Sequence, residues 1–234
     1  YETKGLHLNL GIPEFSPAST QAVAEFAAAR DLPWSEYRLT DIFGYSIPEV
    51  HQLLRGKTCA LCGRLKRAFF NRMTADEGFH TLVTGHNLDD EAGRLLGNLV
   101  GRRLEHVHKQ SAYLPSPHPR IPAKLKPLFR LEIKELLAYC RLQDIQPVQA
   151  VCSYSRGATT HTFKRALELL EESMPGTKRS FLFAYVRENM EDCGQMSDVR
   201  YQREEGGEET LTQPETDKDF GLCRECGEPA YAHS

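Results

Sequence analysis

The sequence lacks any apolar run long enough to cross a bilayer, and its first residues lack the basic, apolar and cleavage regions of a signal peptide. These two absences argue against a membrane partner and predict a cytoplasmic protein. An excess of basic residues is also missing, because 29 Lys and Arg face 32 Asp and Glu, for a net charge of -3. Since non-specific nucleic-acid binders usually carry a basic balance, any RNA contact must come from local patches.

Three local basic patches are candidates for such contacts. They are Arg102-Arg103, the segment from Arg120 to Arg130 with Lys124 and Lys126, and Lys178-Arg179. The alternative is that these charges only solvate exposed faces of the fold. Charge alone does not decide between the two interpretations.

Cysteine is the informative residue type in this chain. The seven cysteines are Cys59, Cys62, Cys140, Cys152, Cys193, Cys223 and Cys226. Their odd number, the two Cys-x-x-Cys pairs and the missing secretory signal argue against a disulfide scaffold. In a reducing compartment such pairs more often bind metal or do redox chemistry.

The whole chain of 234 residues is long enough for one α/β domain and a small appendage. Strand and helix patterns alternate along its first half. Strands are predicted over 5–12, 34–39 and 80–85, and helices over 19–30, over 59–77 and from Asn87 onward. In the helix over 59–77, Leu65, Phe69 and Met73 recur at four-residue steps and predict a buried stripe. The alternation favours βαβ units and a mainly parallel sheet.

The second half is predicted to be mainly helical. Five prolines between Leu114 and Leu128 indicate a rigid, extended surface connection. Helices follow over 132–142, 161–173 and 180–191. Core candidates in the first of these are Leu136, Leu137, Tyr139 and Cys140. From about Cys193 the composition becomes polar and acidic, which is typical of a flexible linker.

The first chemical motif is Cys59-Ala-Leu-Cys62-Gly-Arg-Leu-Lys66. Two thiolates at i and i+3 at a helix start lie on one side and can grip a metal centre. The helix N-terminus favours thiolate over thiol, and Lys66 lies one turn beyond Cys62 on the same face. A redox dithiol and half of a structural zinc site remain equally open readings of these residues.

The second motif is Thr84-Gly85-His-Asn-Leu-Asp89-Asp90-Glu91. A strand that ends in Gly85 allows a nucleotide to approach the backbone closely. The three acids then open a helix. Capping by Asn87 and the helix dipole explain one acid well and three less well. A carboxylate cluster beside a nucleotide usually holds Mg²⁺ or handles protons.

The remaining cysteines are less decisive. Cys152 stands at the start of a predicted helix with no cysteine nearby, so it is either a buried free thiol or a distal third ligand. Cys223-Arg-Glu-Cys226-Gly has the pattern of half a zinc knuckle. A tetrahedral site needs two more ligands and only His233 lies downstream, so the site is incomplete within this chain.

These motifs, in this order, closely resemble the TtuA branch of the TtcA/TtuA tRNA thiolation family in the PP-loop ATPase superfamily, and Cys-x-Tyr-Ser and Pro175-Gly-Thr-Lys extend the likeness. The resemblance implies an α/β fold with a Rossmann-type parallel sheet and flanking helices, a helical C-terminal part and a zinc-ribbon-like tail. It also implies a nucleotide-binding catalytic domain over 1–130, a helical continuation over 131–192, a linker over 193–220 and a partial zinc-binding tail over 221–234.

The family's functional residues map onto this chain one by one. The resemblance implies that Cys59, Cys62 and Cys152 hold a [4Fe–4S] cluster with one iron left open for the sulfide to be transferred. It places ATP against Leu8 and the Gly85 backbone. Lys66 and Asp90 match residues required for activity, the first near phosphate charge and the second in Mg²⁺ binding or proton transfer. Cys223 and Cys226 match part of a Zn²⁺ site.

The implied reaction is tRNA 2-thiolation. ATP adenylates the C2 oxygen of a uridine, and sulfur then replaces the adenylated oxygen. The expected substrate is 5-methyluridine at tRNA position 54, and the expected sulfur donor is a ubiquitin-like carrier with a C-terminal thiocarboxylate. The resemblance leaves open whether the protein forms a homodimer. Alternatives are 2-thiolation of a wobble uridine or a cytidine, a zinc-containing adenylating ligase, and a non-catalytic fragment that binds RNA or the carrier.

The sequence departs from the family at its N-terminal side. The pyrophosphate loop Ser-Gly-Gly-x-Asp-Ser, expected before the strand at Gly5, is absent from the sequence. So is the cysteine-rich zinc module expected before that loop. We expect that these segments are omitted rather than lost, because the cluster and acid motifs are intact. The 234 residues by themselves should bind ATP weakly, since they contain no cradle for the phosphates.

Overall fold

A computed structural model describes residues 2–54, 58–107, 110–155, 157–191, 220–222 and 229–231. Its elements are β1 (Gly5–Asn9), α1 (Phe15–Ala28), β2 (Trp34–Arg38), α2 (Leu39–Phe43), α3 (Ile47–Leu54), α4 (Thr58–Asp76), β3 (Thr81–Val83), α5 (Leu88–Val100), α6 (Leu104–Val107), β4 (Tyr113–Leu114), β5 (Ala123–Leu125), α7 (Ile133–Leu142), a 3₁₀ turn (Ser153–Ser155), α8 (Thr159–Ser173), α9 (Thr177–Glu191), β6 (Phe220–Leu222) and β7 (Pro229–Tyr231). The chain divides into two compact units.

The first unit comprises Tyr1–Phe70 and Leu131–Thr162. Its sheet pairs β1 with β2 in parallel, with Leu8 opposite Tyr37. Parallel neighbours need a crossover connection, and α1 provides it. Phe69 of α4 is 1% exposed, and its ring lies edge-on to Tyr37 at 5.4 Å between centroids. The predicted stripe on α4 is therefore buried at Phe69 and only half-buried at its other apolar positions.

Helix α1 begins at Phe15, before the predicted start at residue 19. Pro17 falls in its first turn, where a missing backbone N–H leaves no intrahelical bond unmade. The Ser16 hydroxyl accepts a hydrogen bond from the Ile12 backbone N–H at 3.0 Å and ties the helix start to the end of the preceding strand.

The second unit comprises Asn71–Arg130 and Phe163–Ser234. Its three-stranded sheet has the order β3-β5-β4, with β5 parallel to β3 and antiparallel to β4. Strand β5 lies inside the proline-rich segment, so the predicted surface connection is wrong there. Pro122 and Pro127 flank the strand and none falls within it, so its ladder keeps every N–H donor.

Helix α5 forms the core of the second unit. Leu88, Ala92 and Leu95 are fully buried on one face. The residues packed with them in the same buried cluster are Val107, Phe129, Leu167 and Leu182. The two parallel strand pairs and these packed helices confirm the predicted α/β fold class.

Helix α7 corrects a prediction about the core. It begins after Glu132 as expected, but it has no buried residue. Tyr139 is 58% exposed and Leu137 is 40% exposed, while Leu136 and Cys140 are half-buried. Apolar spacing along a helix creates an apolar face, but only a neighbouring surface can bury it.

The tail shows one feature within the described residues. Strands β6 and β7 pair antiparallel, with Phe220 opposite Tyr231. Cys193, Cys223 and Cys226 lie outside the described residues, so the zinc site of the tail stays a prediction, as do the domain boundaries. Where the structure describes the chain, no helix combines the length and hydropathy needed to cross a membrane.

Candidate functional site

The start of α4 carries the first two predicted ligands. Cys59 is exposed, Cys62 is half-buried, and both are free thiols. Thr58 precedes them and is buried, with its hydroxyl 2.7 Å from His51 Nδ1. This contact fixes the first turn of α4 against the end of α3, so the thiols project from an anchored helix start.

The loop that carries Cys152 lies against this helix start. The Cys59 thiol donates a hydrogen bond to the Tyr154 carbonyl at 3.0 Å. The rings of Tyr154 and His51 pack with centroids 4.8 Å apart. Ser155 tightens the turn, since its N–H and hydroxyl both donate to the Cys152 carbonyl, at 3.0 and 2.7 Å. The fold thus brings the third cysteine to the first two.

The electrostatic environment of Cys62 also indicates that Cys152 and Cys59 lie near it. Burial raises the pKa of the Cys62 thiol, the Lys66 ammonium opposes the rise, and negative charge on Cys152 or Cys59 adds to it. Charges act on one another in this way only at short range. Lys66 itself is exposed, one turn beyond Cys62 on α4.

The three cysteines do not make a site for a single metal ion in the part of the chain that the structure describes. Among the described residues, no three His, Cys, Asp or Glu side chains have the spacing that one metal ion requires. In an iron–sulfur cluster each thiolate binds a different iron, so its sulfurs stand farther apart than around one zinc. Cys62 lies within electrostatic reach of both Cys59 and Cys152, and Cys59 is exposed, which is compatible with such a wider spacing.

The acid motif begins at a capped helix start in the second unit. The Asn87 side chain accepts from the Asp90 N–H at 2.9 Å, and the Asp90 carboxylate accepts from the Asn87 N–H at 3.2 Å. This reciprocal capping box satisfies two helix-end donors. Gly85, just upstream, is exposed, and an added Cβ there would meet only Leu128, at 4.0 Å. Its backbone is therefore open to a close approach.

Each acid of the motif forms an ion pair with a lysine from a different part of the chain. Asp89 pairs with Lys178 of α9 at 2.8 Å, and Glu91 pairs with Lys126, after β5, at 2.8 Å. Asp90 pairs with Lys164 of α8. Sequence reasoning missed these partners. The one available signal was that three adjacent acids exceed what capping requires.

The pairing separates the roles of the three acids. Glu91 is fully buried, and Gln110 also donates to its backbone carbonyl at 2.8 Å. Asp89 is likewise buried with its lysine. Asp90 keeps 30% of its side chain exposed. Of the three acids, Asp90 is therefore the one whose carboxylate a ligand can still reach.

The lysines paired with Asp89 and Glu91 stabilise the fold. Lys126 is 5% and Lys178 is 3% exposed, so these two members of the candidate basic patches are not accessible to RNA. Burial lowers the pKa of Lys126 against the opposing charge of Glu91. For Lys178, burial works to lower the pKa, but hydrogen bonds and charge from Asp89 and Glu168 outweigh it and raise the pKa above its ordinary value.

Two glycines of α5 let α8 approach closely enough to reach Asp90. A Cβ on Gly93 would stand 2.9 Å from Lys164 Cγ, and one on Gly97 would stand 2.9 Å from the Phe163 ring. These distances are too short for real side chains. Leu8, the last predicted site residue, is 6% exposed in β1.

No protein-family model matches the chain. Over 186 residues it is 38% identical to the tRNA-5-methyluridine(54) 2-sulfurtransferase of Thermus thermophilus, covering 80% of this chain and 58% of that protein. Over 187 residues it is 37% identical to the protein of the same name from Pyrococcus horikoshii, covering 80% of this chain and 59% of that one. These relatives support the resemblance of the chain to the TtuA-type family.

The chain spans somewhat more than half the length of these two TtuA-type relatives. A solved structure, the U34-tRNA thiolase NcsA from Methanococcus maripaludis with its [4Fe-4S] cluster, matches with a TM-score of 0.71 and 23% identity. The match covers 85% of this chain and 67% of that one. It supports the α/β fold predicted for this chain.

Proposed function

We propose that this chain is the catalytic part of an ATP-dependent tRNA uridine 2-sulfurtransferase. The observation that carries the proposal is the contact of the Cys152 loop with the start of α4, through Cys59 and Tyr154. The names of the relatives, tRNA-5-methyluridine(54) 2-sulfurtransferases, support 5-methyluridine 54 as the substrate.

Cys59, Cys62 and Cys152 would hold a [4Fe–4S] cluster. When bound, the cluster supplies an iron not ligated by the protein, at which sulfur can be presented. The protein's contribution is to keep one thiol exposed and to hold the loop of the third against the first. The ammonium of Lys66 favours the thiolate form of Cys62, which is the ligand form of cysteine.

The reaction replaces the C2 oxygen of uridine by sulfur. The C2 oxygen attacks the α-phosphorus of ATP and pyrophosphate departs with its electron pair. A C2–S bond then forms, the C2–O bond breaks, and the oxygen leaves as part of AMP. Lys66, exposed on α4, would stabilise the phosphate charge that develops. The open backbone at Gly85 and the apolar side chain of Leu8 would contact ATP.

Asp90 would act beside the nucleotide as an Mg²⁺ ligand or in proton transfer. Its half-exposed carboxylate, held by Asn87 and Lys164, supports this role over any for Asp89 or Glu91. Lys164 would serve as a positioning residue for Asp90.

The remaining partners follow from the family rather than from the described residues. We propose a ubiquitin-like carrier with a C-terminal thiocarboxylate as sulfur donor, Zn²⁺ at Cys223 and Cys226, and a homodimer. A relative from Yarrowia lipolytica named cytoplasmic tRNA 2-thiolation protein 1 supports a cytoplasmic location.

Mass spectrometry of tRNA nucleosides from cells without the gene tests the proposal. We expect 2-thio-5-methyluridine to disappear and 5-methyluridine to accumulate. The intact gene should restore the thiolated nucleoside, and a gene with Cys152→Ala should not. Loss of a 2-thiolated wobble uridine instead would favour the wobble-uridine alternative. Unchanged thionucleosides would refute both.

A further inference from the structure

One face of α9 forms an open groove in the second unit. Arg179, Ser180, Phe183, Ala184 and Arg187 line a concavity of about 310 Å³. Their spacing places all five on one side of the helix, with an arginine at each end. Arg187 lies eight positions after Arg179, so the two arginines stand roughly 12 Å apart along the helix axis.

A third arginine reaches the middle of this groove from outside α9. The Arg130 guanidinium lies over the Phe183 ring, 5.5 Å from its centroid. Phe129, which is buried in the core, lies 6.3 Å from Phe183 between centroids. The Phe183 ring is therefore fixed from below and carries a cation on its face. We refer to Arg130, Arg179, Arg187 and Phe183 as the arginine groove.

We propose that the arginine groove binds the sugar–phosphate backbone of the tRNA substrate. The inference rests on the proposed function, because it assigns a contact to the RNA of that reaction. Arginine is the residue best suited to phosphate, since its planar guanidinium donates two parallel hydrogen bonds. The Ser180 hydroxyl, which also lines the groove, adds a further donor.

The length of the groove favours a polyanion over a single phosphate. Two cations roughly 12 Å apart exceed the reach of one phosphate group, whereas a nucleic-acid strand places a charge every few ångströms. The groove also includes members of two basic patches predicted from the sequence, the exposed Arg130 and the half-buried Arg179. Other members of those patches serve the fold: Lys126 and Lys178 are buried in ion pairs.

Salt-dependent binding of an unmodified tRNA transcript tests the groove. The full-length protein, Arg187→Gln and the double variant Arg179→Gln/Arg187→Gln should be titrated at several salt concentrations by fluorescence anisotropy. We expect the slope of log K against log salt to fall by about one for each arginine removed. Affinity of the double variant should fall roughly tenfold or more at low salt.

Arg72→Gln provides the matched control. Arg72 is an exposed arginine of the same unit that pairs with Asp76 on α4, outside the groove. Its loss should leave affinity and slope near the wild-type values, and iron loading should be the same in all variants. If the double variant is poorly folded, Arg187→Gln alone decides, because Arg187 is exposed.

The outcomes separate this inference from the proposed function. A wild-type protein that binds no tRNA would refute the proposed function itself. A wild-type protein that binds and thiolates tRNA, with groove variants that match it in affinity and salt slope, would overturn only the arginine groove. Groove variants that bind tRNA normally but no longer bind the sulfur-carrier protein would also overturn the assignment to tRNA. The groove would then bind an acidic protein instead.

Discussion

The Cys59 thiol donates a hydrogen bond to the Tyr154 carbonyl at 3.0 Å, although 95 positions separate the two residues along the chain. The contact holds the Cys152 loop beside the helix start that carries Cys59 and Cys62. Two cysteines from one helix turn cannot by themselves ligate three irons. The proposed chemistry therefore depends on this long-range contact more than on the Cys-x-x-Cys motif.

Removing any one of the three clustered thiols should abolish stable cluster binding. After anaerobic reconstitution with iron and sulfide, we expect Cys59→Ser, Cys62→Ser and Cys152→Ser to lose most of the bound iron, labile sulfide and visible absorbance. Cys140→Ser is the control, because Cys140 is a half-buried free thiol of the same unit on α7. Full iron binding by Cys152→Ser would refute the three-cysteine site.

The strand and helix alternation was predictable because it depends on local periodicity. Strand β5 was not, because two prolines flank only three residues, Ala123–Leu125, and the segment resembles an extended connection. The exposure of Tyr139 was also unpredictable, since burial depends on a partner surface elsewhere in the chain. Periodicity identifies elements, but it does not identify which faces of them become covered.

In the candidate site, too, contacts between sequence neighbours could be predicted and contacts between distant residues could not. The capping role of Asn87 and Asp90 could be predicted, because both groups lie within one turn. The lysine partners could not, since Lys164 is 74 positions from Asp90 and Lys178 is 89 positions from Asp89. The grouping of the three cysteines came from the family resemblance, and spacing alone left it open.

Lys164 should matter for activity through its contact with Asp90. We expect Lys164→Gln to lower thiolation about 10- to 100-fold, which is the usual effect of losing a group that orients a ligand. The Mg²⁺ concentration for half-maximal activity should rise, and Lys164→Arg should restore much of the loss. Lys134→Gln, which removes an exposed lysine paired with Glu132 at 2.8 Å, is the control. Wild-type activity and Mg²⁺ dependence in Lys164→Gln would contradict the positioning role.

Gly97 should tolerate no side chain, because α8 packs directly against it. A Cβ there would stand 2.9 Å from the Phe163 ring, so we expect Gly97→Ala to destabilise the protein by about 1–3 kcal/mol despite the better helix propensity of alanine. Gly63→Ala is the matched control in α4, where a Cβ would meet only the flexible end of Arg67 at 3.3 Å. Equal or higher melting temperature for Gly97→Ala would contradict the close packing.

His7 should contribute to a loss of stability in mild acid. Burial lowers the pKa of His7 below 6.5, with the charge of Glu36 opposing, and its ring nitrogen lies 3.0 Å from the Thr20 hydroxyl. The unfolded chain therefore binds a proton more readily, and stability falls as pH drops below about 6.5. Melting temperatures at pH 7.5 and 5.5 should differ less in His7→Gln than in the wild type. An equal or larger difference would show that His7 does not titrate in this way.

The buried pair of Glu91 and Lys126 should be far more costly to break than to replace. Their charged atoms lie 2.8 Å apart and both side chains are at most 5% exposed. Glu91→Gln leaves the Lys126 charge buried without this partner and should cost about 3–5 kcal/mol. Lys126→Met should cost less, because Glu91 keeps a second ion pair with the partly exposed Arg94 at 3.7 Å. The double variant should be more stable than the sum of the two losses predicts, because no charge then remains buried. Denaturant unfolding of the four proteins measures this coupling, and strictly additive losses would mean that the two charges do not stabilise each other.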